Sequence, residues 1–144
     1  MKEKSLKMEN YSIDRGKDRE YYYNKQILGG MAMCTLSQLN SISEQMVCCY
    51  REVYGGDVVA IFLYGSYARG DYDEESDIDM TAIVRGERLE LQQKLREIWD
   101  KSAEIGLEND VVVSPTVIPY DEFEFYKDKL PYYINLCREG KKIG

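Results

Sequence analysis

The chain has 144 residues, 44% of them hydrophobic, with 26 acidic side chains, 19 basic ones and no histidine. That length suits one compact domain with a real core, and the formal charge of −7 argues against a nucleic-acid surface, which normally carries a basic patch. Ser-His-Asp and Cys-His nucleophilic systems are excluded for want of histidine, so proton transfer falls to carboxylates.

The four cysteines, Cys34, Cys48, Cys49 and Cys137, show no CxxC spacing and have no histidine to complete a zinc site. They read as reduced thiols, with Cys48 and Cys49 packing inside a helical pattern. The N-terminus is charged and no apolar run approaches the roughly 20 residues of a spanning helix. A soluble cytoplasmic protein is expected, with no membrane contact.

Residues 1–30 form an N-terminal extension, partly disordered or carrying a short helix over Arg15–Leu28, and residues 31–144 form the domain. Residues 1–25 hold seven Lys/Arg against five Asp/Glu, which leaves the rest of the chain at about −9. The Tyr21-Tyr22-Tyr23 run cannot turn all three rings into one core, so it either covers the domain or meets a partner. Thr35–Tyr54 is the clearest helix: Leu36, Leu39, Ile42, Met46, Cys49/Tyr50 and Val53 recur at helical spacing. Thr35 and Gln38 form a capping-box pattern, and Gly55-Gly56 supplies a stop.

Val58–Tyr64 is an apolar run rich in β-branched and aromatic residues, a buried strand closed by a turn at Gly65. Glycine there lets backbone approach a ligand closely, and Ser66 adds a hydroxyl and an N–H suited to phosphate oxygens. By itself a Gly-Ser pair after a strand is ordinary turn chemistry. Ten residues beyond Ser66 begins Ser76-Asp77-Ile78-Asp79-Met80. Strand period places Asp77 and Asp79 on one face, and Ile78, Met80, Ala82 and Val84 on a buried opposite face. Two such carboxylates repel by up to about 4 kcal/mol, which a cation relieves. Hard oxygen ligands favour Mg²⁺ shared with substrate phosphates. The intervening acids Asp71, Asp73, Glu74 and Glu75 read as a solvated loop.

A second helix is expected over Glu87–Ile105, with Leu91, Leu95, Ile98 and Ile105 as its stripe, Trp99 beside it and Gly106 as its end. A third strand is expected from Asn109-Asp110 through Val113, with Pro115 and Pro119 limiting how far it can pair as a central strand. Short helices over Asp121–Tyr126 and Lys129–Glu139 complete the chain, with Pro131 in the first turn of the last and Gly140 at its end. The fold class is α/β, a small mixed sheet backed by helices.

Gly65-Ser66-x-Ala68-Arg69-Gly70 followed by Ser76-Asp77-x-Asp79 resembles the signature of nucleotidyltransferases related to DNA polymerase β. Within that superfamily it is similar to the minimal nucleotidyltransferases, small proteins paired with HEPN-domain partners in toxin–antitoxin modules. The resemblance runs from about Val58 to the C-terminus, where Arg138-Glu139-Gly140 is a short further match. It implies that Gly65 and Ser66 hold the triphosphate of ATP and that Asp77 and Asp79 hold Mg²⁺ (or Mn²⁺). The third catalytic carboxylate starts a later strand in the family; Asp110 before the valine run matches it, which implies that Asp110 completes the metal site and accepts the hydroxyl proton, with Glu108 as competitor. Arg69 either neutralises phosphate charge or pairs with Asp71 or Asp73. The function implied is an antitoxin that transfers AMP to a hydroxyl, tyrosine first, of a HEPN toxin. A binding-only antitoxin and a small-molecule (antibiotic) nucleotidyltransferase are the alternatives.

Overall fold

The computed structural model describes residues 34–144; the Arg15–Leu28 helix and the Tyr21–Tyr23 run lie outside them. Helix α1, Leu36–Tyr54, begins on a complete capping box. The Gln38 N–H donates to Thr35 Oγ1 at 3.0 Å and the Thr35 N–H to Gln38 Oε1 at 3.1 Å, so two of the helix's orphan donors are satisfied within one turn. Leu39, Ile42, Met46, Cys49, Tyr50 and Tyr54 are buried, and burying each large apolar side chain contributes about 1.5–3 kcal/mol. The two tyrosine hydroxyls are satisfied where they go under: Tyr50 donates to Thr116 O at 2.8 Å and Tyr54 to Leu91 O at 2.7 Å.

After a 3₁₀ turn at Gly55–Asp57 come strand β1 (Val58–Tyr64), the one-turn helix α2 (Ser66–Arg69), strand β2 (Ile78–Val84) and helix α3 (Arg88–Asn109). Strand β3 (Val113–Pro119), helices α4 (Tyr120–Tyr126) and α5 (Pro131–Glu139) and strand β4 (Lys141–Lys142) follow. The sheet order is β3-β2-β1-β4, with β1 antiparallel to β2 and β4, and β2 parallel to β3. One face, with Ile61, Leu63, Ile78, Met80, Ala82, Val84, Val113 and Val117, joins the buried residues of α1 and α3 in the main core. A smaller cluster on the other face centres on Ile83, Ile118 and Leu136, packed with Phe62, Tyr64, Tyr120, Phe123 and Tyr133.

Several expectations are corrected. Helix α3 runs past Gly106 to Asn109, so that glycine is no helix stop. It is buried, and a Cβ there would meet the Val111 carbonyl oxygen; glycine serves the close approach of the returning chain. The helix ends at Asp110, the one non-glycine residue with positive φ among those described, at φ 57° and ψ 47°. β3 therefore starts at Val113 rather than at Asn109-Asp110. It includes both prolines, which an edge strand tolerates because its outer side needs no ladder bond. Strand β4 was not foreseen: two lysines carry no strand pattern, and they pair only because β1 presents Phe62 and Leu63. All four cysteines are free thiols, with Cys49 buried as expected and Cys48 exposed rather than packed.

Candidate active site

The antiparallel register sets Asp79 opposite Tyr64, so the end of β1 and the start of β2 meet at one point. Gly65 follows with φ 78° and ψ −154°, a conformation essentially reserved for glycine. A Cβ on Gly65 would lie 2.6 Å from Asp79 Oδ2. The glycine thus does two jobs: it turns the chain, and it leaves room for the carboxylate against its backbone. Ala68 and Arg69 N–H both donate to Gly65 O, at 3.1 and 3.0 Å. The N–H groups of Ser66 and Tyr67 are the donors for which this one-turn helix offers no acceptor. Tyr67 and Tyr72, both buried, stack at 4.2 Å between centroids and 13° between planes, pinning the turn from beneath.

Asp77 is exposed, Ile78 buried and Asp79 half-buried, the alternation expected of this strand. Burial raises the Asp79 carboxyl above its ordinary value, the Asp77 charge raises it further, and Arg69 opposes both. That ordering describes an anionic pair short of positive charge. Arg69 is committed in part: its Nε lies 3.2 Å from Asp71 Oδ2, and its Nη1 lies 3.7 Å from Glu139 Oε1. The pairing with Asp71 is therefore present. The contact with Glu139 was not legible in the sequence, since it joins positions seventy residues apart.

Asp73 is more than a solvated loop acid. Its carboxylate accepts from the Glu75 N–H at 2.9 Å and from Ser76 Oγ at 3.2 Å, while its own N–H donates to Ser76 Oγ at 2.9 Å. This small network shapes the turn that delivers Ser76 and Asp77 to β2.

Asp110 caps α3 three residues before β3 and lines a cleft with Trp99, Leu107 and Val112. Glu108, its competitor, lies inside α3 and faces a different surface, with Cys48, Glu52 and Lys101. Among the described residues no three His, Cys, Asp or Glu side chains form a group that could hold a metal. The register places Ser114 of β3 beside Asp79. Two residues that sequence reasoning passed over stand on the same sheet face. Tyr64 is the β1 neighbour of Asp79, and Tyr132 of α5 meets it edge-on at 5.9 Å.

No helix among the described residues is long and apolar enough to cross a membrane. The family model described as "Nucleotidyltransferase domain" matches residues 48–138, well over half of the chain. Two relatives from Methanocaldococcus jannaschii carry provisional names as protein adenylyltransferases. MJ0604 is 48% identical over 100 residues, covering 69% of this chain and 92% of that protein. MJ0141 is 42% identical over 57 residues, covering 40% of this chain, and the chain spans only 56% of it. Among solved structures, the toxin–antitoxin MntA–HpeT is similar at TM-score 0.45 and 12% identity, covering 71% of this chain and 72% of that one. The family match and the near-complete overlap with MJ0604 decide the matter: the chain belongs to the nucleotidyltransferase domain family.

Proposed function

We propose that this nucleotidyltransferase is a metal-dependent protein adenylyltransferase that transfers AMP from ATP to a hydroxyl side chain, tyrosine first, of a HEPN-type toxin in the cytoplasm. The observation that carries the reading is the Gly65 backbone packed against the Asp79 carboxylate with Asp77 beside it. A turn suited to phosphate oxygens and an anionic pair short of positive charge share one corner of the sheet. The donor set fits Mg²⁺, which is commonly held by one or two carboxylates plus substrate phosphates. When bound, that ion supplies charge neutralisation of the triphosphate and of the oxygens that attack and depart.

The chain's own part is to hold and orient. Ser66 Oγ and the N–H groups of Ser66 and Tyr67 are the donors for the triphosphate. Asp77 and Asp79 fix the metal-facing side, and Arg69, beside them, offsets negative charge. In the transfer the acceptor oxygen bonds to the α-phosphorus, the bond from that phosphorus to the departing pyrophosphate breaks, and the hydroxyl proton passes to a carboxylate. The provisional names of the relatives support a protein acceptor, and the acidic body supports a basic partner. A phosphate ester near an RNA-binding face would repel the phosphodiester substrate.

The second reading is an antitoxin that acts by binding alone. Both are tested by mixing the protein with a HEPN partner, ATP and Mg²⁺. The partner is expected to gain the mass of AMP, and Asp77→Asn is expected to abolish the gain. Neutralisation with no added mass, unchanged by Asp77→Asn, establishes the binding-only reading instead.

A further inference from the structure

The sheet face that carries Asp79 also carries the smaller cluster, in which Tyr133 and Leu136 of α5 pack with Phe62, Tyr64 and Ile83. On that face the register sets Tyr64 of β1, Asp79 of β2 and Ser114 of β3 in one row, and Phe62, Thr81 and Thr116 in the next. Tyr132, the second residue of α5, meets Tyr64 edge-on with ring centroids 5.9 Å apart. Burial raises its hydroxyl above the ordinary tyrosine value, the Tyr64 hydroxyl raises it further, and a hydrogen bond with the Thr116 side chain works against both. Tyr64 and Thr116 belong to the strands on either side of β2, about 10 Å apart at the usual strand spacing. A single side chain that reaches both therefore crosses β2 between Asp79 and Thr81.

Tyr132 is held in place and yet open. Tyr64 and Tyr133 meet it near the perpendicular, at 85° and 83°, so neither lies flat on the ring, and 43% of the residue is exposed. Its helix is anchored to the glycine turn: Leu136 is buried midway along α5, and Glu139 at its end lies 3.7 Å from Arg69 of α2. The other two exposed aromatic side chains among the described residues stand elsewhere. Trp99 is on α3, which packs into the main core, and Phe125 contacts Tyr126 and Lys129. Of the three, Tyr132 is the one in ring contact with a strand neighbour of Asp79.

We propose that Tyr132 determines nucleotide specificity, as the stacking platform for a purine base, an assignment that rests on the functional reading above. The base is tethered to the phosphates. With the α-phosphate at Asp79, ribose and base fall on the adjoining surface of the same sheet face, and an aromatic ring there offers the flat apolar contact that a base takes. A purine presents a larger face to it than a pyrimidine does. The experiment is calorimetric titration of the full chain in Mg²⁺ with ATP, UTP and inorganic tripolyphosphate, repeated with Tyr132→Ala and Tyr132→Phe. Tyr132→Ala weakens ATP binding about tenfold, the scale of one base stacked on an aromatic ring, and narrows the preference for ATP over UTP. It leaves tripolyphosphate affinity unchanged, which also shows that the site is folded. Tyr132→Phe keeps the ring and binds ATP near the parent level. Unchanged ATP affinity in Tyr132→Ala overturns the proposal, as does an equal loss of ATP and tripolyphosphate. A loss of AMP transfer at unchanged ATP affinity overturns it too, and assigns the ring to the acceptor. If the unaltered chain binds tripolyphosphate as tightly as ATP, the base makes no contact and the proposal falls while the phosphate site stands. If it binds neither, the functional reading falls with it.

Discussion

The corner where β1 meets β2 and the junction where α3 meets β3 both hinge on a glycine whose missing Cβ makes room for an oxygen atom. At the first, Gly65 has positive φ and yields space to a carboxylate, Asp79. At the second, Gly106 has ordinary helical geometry and yields space to the Val111 backbone carbonyl. The same residue type therefore makes room for a side-chain carboxylate in one place and for backbone in the other. A substitution at the first should be felt in turnover, and one at the second in stability.

The largest effect is expected from Gly65→Ala. The methyl group would sit 2.6 Å from Asp79 Oδ2 in a backbone region closed to alanine. Displacing a reacting group by about 1 Å can cost on the order of 100-fold, and transfer of labelled AMP should fall by at least that much. Gly106→Ala is the counterpart. Helix propensity alone would favour alanine by about 1 kcal/mol, but the collision with Val111 O reverses the sign. Chemical denaturation should show a net loss of about 2 kcal/mol, with turnover per folded molecule unchanged. If Gly106→Ala lowered turnover more than stability, the contrast between the two glycines would collapse.

Asp79→Asn sharpens the electrostatic side of the comparison. A carboxyl whose folded value is raised contributes stability that is fully present below the ordinary carboxylate range and is lost as pH rises through the raised value. At neutral pH, without metal, the ionised Asp79 is thus a liability that the amide removes. Asp79→Asn should raise the Tm of the metal-free protein at pH 7. That gain should vanish at pH 3, and Mg²⁺ with ATP should stabilise the parent protein alone. The smallest effect belongs to Asp110→Asn, because asparagine tolerates the left-handed conformation at that helix end. Stability should stay within about 0.5 kcal/mol and AMP transfer close to the parent level. A collapse of transfer with stability intact would establish Asp110 as a catalytic carboxylate.

Where the sequence was legible, the determinants were local. The capping box at Thr35 and Gln38, the apolar run of β1 and the alternation through Asp77, Ile78 and Asp79 each depend on residues within a few positions. Backbone geometry converts such patterns into structure with little help from elsewhere. The α3–β3 junction could not be read that way. Gly106 looked like a stop because glycine often is one, and only the return of Val111 against it shows why the helix continues. Asp110 before a valine run looked like the start of a strand, until the capping of α3 claimed it.

The sequence by itself determined the α1 cap, the period that turns Asp77 and Asp79 to one face, and the glycine turn ahead of them, since dihedral preference and side-chain alternation act over a few residues. Only the tertiary structure decided that Gly65 lies against Asp79, that Arg69 reaches Glu139 and that Ser114 is the β3 neighbour of Asp79. Those are matters of register and long-range packing. A shift of one residue in β3 would change which side chain flanks Asp79, and only the burial of whole faces against α1 and α3 fixes that register.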